Sequence, residues 1–93
     1  MTTGLNGDYS FNIENHDGKL RLVVCYGGVE NVCHKTTSKN IAKFLQQSED
    51  HLFKGRLQLH KKNELIEIFV KGHKVGEIPS SYFKNNLDTA NSK

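Results

Sequence analysis

Apolar and polar side chains begin to alternate at Tyr9: Tyr9, Phe11 and Ile13 fall on one side, and Ser10, Asn12 and Glu14 on the other. Period two marks a strand with one buried face. Asn15-His16-Asp17-Gly18 follows, and Asp-Gly tolerates the positive φ angles of a tight hairpin. Leu20, Leu22, Val24 and Tyr26 then alternate with Lys19, Arg21, Val23 and Cys25, which completes a predicted hairpin. Gly27-Gly28 is the next break, and Val29 to Cys33 reads as a third strand. If Gly27-Gly28 is a two-residue turn, Tyr26 faces Val29 and Cys33 faces Leu22.

The period then changes. Thr36-Thr37-Ser38 offers hydroxyls for a helix N-cap. Ile41, Phe44 and Leu45 follow at helical spacing, with Leu52 able to extend the stripe, and Lys39, Lys43 and Gln47 point the other way. The reading is a helix from about Ser38 to Asp50. Period two returns from Phe53 to Lys62: Phe53, Gly55, Leu57 and Leu59 against Lys54, Arg56, Gln58, His60 and Lys62, broken only at Lys61. After a polar turn at Lys62-Asn63-Glu64, Ile66, Ile68 and Val70 continue the apolar face against Leu65, Glu67, Phe69 and Lys71. Gly72-His73-Lys74 turns the chain into a short strand, Val75 to Ile78, which Pro79 ends because it cannot donate to a ladder. Ser80 or Ser81 caps a short helix with Phe83 and Leu87 one turn apart.

This order predicts an α+β fold: an antiparallel sheet of five to six strands, one main helix on one face, a short C-terminal helix, and the second sheet face open to water. At 93 residues the chain is read as one domain, 1–93, with a small core. Residues 1–8 and 88–93 read as loose ends. The longest apolar run, Leu22 to Tyr26, is far short of the about 20 residues of a bilayer crossing. No basic-plus-apolar leader opens the sequence, and Cys25 and Cys33 are too few for a disulfide framework. The expectation is a cytoplasmic protein with free thiols.

Net charge is +3, but its distribution is uneven. Residues 1–34 carry two basic and four acidic side chains, and residues 35–93 carry eleven and six. A basic second half suits phosphates or an acidic protein surface. Catalytic and metal signals are weak by comparison. Zinc sites want ligand pairs two to four residues apart, twice over, which Cys25, Cys33 and His34 do not supply. No nucleophile elbow and no phosphate-cradling glycine loop is present. Cys33 and His34 are strand neighbours and point apart. The expectation is a non-enzymatic protein without metal or cofactor.

The open sheet face is the remaining candidate. Lys54, Arg56, His60 and Lys62 share parity on one strand, and Phe69 and Lys71, with His73 near the turn, on its partner. Side chains two apart on a strand are separated by about 6.5–7 Å, a spacing that can follow phosphates along a nucleic-acid strand. Phe69 could stack on an unpaired base. Lys39 and Lys43 on the helix would extend the positive surface. The alternatives are a solvated lysine-rich face that discourages edge pairing and a protein-only contact or homodimer through Leu65 and Phe69.

The segment Ile68 to Pro79 followed by a helix resembles the end of HIRAN domains, with Gly76 and Pro79 matching their Gly-x-x-Pro step. The resemblance covers about 20 residues and implies single-stranded DNA binding, although the upstream acidic and Asn-Pro pattern is absent. In type rather than motif, a leaderless α+β chain under 100 residues without a catalytic set resembles small phage and mobile-element inhibitors of the anti-CRISPR kind. That resemblance implies an inhibitor occupying a site on a nucleic-acid complex such as a CRISPR RNA-guided complex.

Overall fold

Ten elements make up the chain in a computed structural model that describes residues 2–16, 18–53 and 55–91. Strands β1 (Thr2–Gly4), β2 (Tyr9–His16), β3 (Lys19–Tyr26) and β4 (Val29–Thr36) form one antiparallel meander. Helix α1 (Ser38–Gln46) leads to a second meander of β5 (Glu49–Leu52), β6 (Leu57–Lys62), β7 (Leu65–Val70) and β8 (His73–Pro79), and α2 (Ser80–Asn91) closes the chain. The α+β class and the antiparallel pairing agree with the sequence pattern. The single sheet of five to six strands does not: the strands divide into two sheets of four.

Local chemistry explains most boundaries. Gly27 and Gly28 at φ 60° and 83° make the two-residue turn that sets Tyr26 opposite Val29. Lys71 and Gly72 do the same between β7 and β8, at φ 52° and 83°. Both turns need left-handed backbone at both central positions, which matches the right-handed twist of the strands they join. At α1, Thr37 accepts from the Asn40 N–H at 3.2 Å and so caps the helix. The helix stops at Gln46 rather than near Asp50, because the next segment is recruited elsewhere. Ser48 accepts the Asn63 N–H at 2.6 Å, and Glu49 to Leu52 pair with Lys62 to Leu59.

The apolar faces of both meanders join one core. Phe11, Leu22 and Val24 come from the first sheet, Leu59, Ile66 and Ile68 from the second, Ile41 and Phe44 from α1, and Phe83 and Leu87 from α2. Phe83 stacks on Phe11 with centroids 5.7 Å apart, which pins α2 to the first sheet. At twelve residues α2 is longer than the nine-residue α1, so the C-terminal helix is not the minor one. The sheets are also tied by the Asn6 N–H, which donates to the Val75 carbonyl at 2.9 Å. Beside that bond Leu5 presses on Gly76, where a Cβ would meet Leu5 Cβ at 2.7 Å. The glycine of the Gly-x-x-Pro step is thus demanded by packing in this chain. The regions read as loose ends also contribute: Thr2–Gly4 pairs with β2, and α2 runs to Asn91.

Candidate nucleic-acid interface

The strongest sequence pattern, in residues 57 to 70, positions the candidate face. Across β6 and β7, Lys62 lies opposite Leu65, His60 opposite Glu67, and Gln58 opposite Phe69. The intervening Leu57, Leu59, Ile66, Ile68 and Val70 are all buried. Period two therefore divides these strands into a core side and an outer side, as the alternation requires. The flanking strands complete the outer side. On β5, His51 lies opposite His60; on β8, Glu77 lies opposite Glu67 and Lys74 opposite Phe69.

Three rings run across this face. His51 and His60 have centroids 4.3 Å apart, and His60 and Phe69 are 4.6 Å apart. Gln58 Oε1 lies 3.4 Å from His60 Nε2. Lys74 donates to Glu67 at 2.8 Å and to Glu77 at 2.7 Å. These bonds hold the Glu67 carboxyl below its usual range and raise the Lys74 ammonium above its own. His60 is held below its ordinary value, first by burial and then by the neighbouring His51, with Glu67 opposing. The unfolded chain therefore takes up this proton more readily than the folded one. Stability from His60 is complete above its ordinary value of 6.5 and falls as pH drops through it. His60→Gln is expected to reduce the decline of the urea midpoint between about pH 7 and 5. Glu67 loses its contribution only below its ordinary 4.5, outside that window. An unchanged pH slope in the variant would remove this role for His60.

The other expected site residues are distributed unevenly. Lys54 lies outside the described residues. The strand expected from Phe53 begins only at Leu57, so Arg56 sits in an exposed bend before β6. Phe53 has φ 70° and turns its ring toward β4, where the His34 ring lies 3.8 Å away. Lys71 occupies a turn, and its N–H donates to the Arg56 carbonyl at 2.8 Å, so both cations mark one end of the face. His73 lies opposite Val70 rather than in the outer row, because a bulge between Ile68 and Phe69 advances the register and gives that place to Lys74. Lys39 and Lys43 are exposed on α1, on the side away from buried Ile41 and Phe44. They do not join the ladder of rings. The continuous strip of cations expected from parity is thus a row of rings with cations toward its ends and carboxylates between.

His51, Lys74 and Glu77 are the members of this face that the alternation pattern does not announce. β5 reads Glu-Asp-His-Leu, with no apolar alternation to announce a strand, and a bulge leaves no compositional trace. Elsewhere, Cys25 and Cys33 are free thiols. A second bulge, between Val24 and Cys25, sets Cys33 opposite Val23 instead of Leu22, while Cys25 keeps the place opposite Glu30 that the two-residue turn gives it. Among the described residues no group of three or more His, Cys, Asp or Glu is placed to hold a metal ion, and no helix is long and apolar enough to cross a membrane. No family model, curated protein or solved structure matches this chain.

Proposed function

We propose that this protein is a non-enzymatic binding module that takes single-stranded nucleic acid, free or displayed by a nucleoprotein complex, on the outer face of the second sheet. The observation that carries this reading is the His51–His60–Phe69 row, which crosses three strands between Lys62 near one end and Arg56 and Lys71 at the other. Unpaired bases stack on rings displayed by a sheet, and flanking cations take the phosphates. Glu67, the carboxylate among the rings, is engaged by Lys74, which reduces its repulsion of a phosphate backbone. A chain this small on such a strand would act as a steric inhibitor, covering the path of a guide or target strand.

Fluorescence anisotropy with a labelled single-stranded oligonucleotide tests the reading. With three cations on phosphates, affinity is expected to fall roughly tenfold or more between about 50 and 200 mM salt. Phe69→Ala is expected to weaken binding by about 1–3 kcal/mol, the worth of one stacked base. Lys62→Gln combined with Lys71→Asn should weaken binding and flatten the salt slope, since asparagine suits the left-handed backbone at position 71. Binding that ignores both salt and Phe69 would end the proposal. A dimer in sedimentation that Phe69→Ala dissolves would assign the face to protein contact instead.

A further inference from the structure

A different surface, along the seam between β4 and the start of β6, has the makings of a ligand site. Two clefts of about 350 and 340 Å³ adjoin there and share His34. Arg56 lines the first; Lys19, Lys35 and Phe53 line the second. The shared His34 ring lies against Phe53 of the second cleft, with centroids 3.8 Å apart. Phe53 holds its ring there from a φ of 70°. Left-handed backbone is unfavourable for a bulky L residue, and strain of this kind concentrates at ligand clamps.

Charge points to the class of ligand. Lys19, Lys35 and Arg56 make no ion pair with any described residue. Glu30, the carboxylate on the first cleft, is held by the Arg21 guanidinium. The seam therefore combines an exposed His34 ring, backed by the half-buried Phe53, with unneutralised cations on both sides. A planar base attached to a phosphate satisfies both features: the base extends the ring stack and the phosphate takes the cations.

We infer that this seam binds a nucleotide, with its base against His34 and Phe53 and its phosphate among Lys19, Lys35 and Arg56. The inference goes beyond the sheet-face reading and shares only Arg56 with it. The nucleotide can be free or can be the 5′ end of a strand, and separate titrations distinguish the two. Adenosine monophosphate, adenosine, inorganic phosphate and a 5′-phosphorylated oligoadenylate are each followed by amide chemical shifts.

Saturable shifts at His34, Lys35 and Phe53 with the monophosphate, at least tenfold weaker for adenosine or phosphate alone, would support a free nucleotide. The same shifts with the oligoadenylate only would support a strand end. Phe53→Gly accepts the positive φ and removes the ring, and it is expected to weaken binding at least tenfold. Lys19→Gln with Lys35→Gln is expected to do the same at exposed positions that leave the core and the sheet face untouched. Phe69→Ala, which damages only the sheet face, should leave these shifts unchanged. Shifts that survive both seam variants, or no shifts with any probe, would overturn the inference.

Discussion

Phe11→Ala is expected to lower the free energy of unfolding by about 3–5 kcal/mol, the range for deleting a fully buried phenylalanine. Phe11 is 0% exposed, lies opposite Val24 in the first sheet and stacks on Phe83 of α2. Alanine would leave a void at the junction of sheet and helix, and a rigid backbone cannot collapse to fill it. Small domains are stable by only about 5–15 kcal/mol in total, so the variant should be marginally folded or unfolded. Urea denaturation followed by circular dichroism measures this. A loss under about 1 kcal/mol would mean that α2 does not pack on β2 as described.

Lys61→Met is expected to cost about 2–3 kcal/mol, through a different mechanism. Lys61 is the residue that breaks the alternation of β6, and it is only 8% exposed on the core side. Its ammonium donates to the Gln47 carbonyl at 2.6 Å and to the Asn63 carbonyl at 2.7 Å. Those bonds fasten the end of α1 to the β6–β7 turn. Methionine keeps the length of the stem but leaves both carbonyls without this donor, and charge-assisted hydrogen bonds are the stronger kind. Hydrogen exchange adds a local readout: the amides of β5 should lose protection before those of β7. A change below about 0.5 kcal/mol, with β5 protected as before, would refute the clamp.

Lys61 also shows where the sequence could and could not be read. Its interruption of a ten-residue alternation was visible, yet nothing local says that an ammonium can be buried there. The acceptors come from residue 47, at the end of α1, and from the neighbouring turn, and only the fold brings residue 47 near. The same holds for β5. Glu49, Asp50 and His51 carry no strand signal of their own, and they become a strand because β6 offers a free edge beside them. Period-two patterning recognises strands that bury one face, whereas an edge strand of charged residues is built by its partner. The two bulges belong with these, since each shifts register by one residue without a marker in composition.

For the candidate sheet face, Gln58, His60, Lys62, Leu65, Glu67 and Phe69 share one side because side chains of a strand alternate, and alternation is a property of the chain itself. The glycine turns at Gly27-Gly28 and at Gly72 were similarly open to reading, since only residues tolerant of positive φ close such hairpins. The meeting of His34 with Phe53, the aromatic row begun by His51, and the exchange of His73 for Lys74 were not. Each joins residues from different elements, and their distances depend on how the strands divide between two sheets. The amino-acid sequence alone determined the α+β class, the antiparallel hairpins and the inward and outward sides of β6 and β7, because these follow from local backbone preference and burial period. The number of sheets, the clamp at Lys61 and the makeup of both candidate surfaces were decided by tertiary structure, because long-range packing and hydrogen bonding choose among pairings that local preference leaves equal.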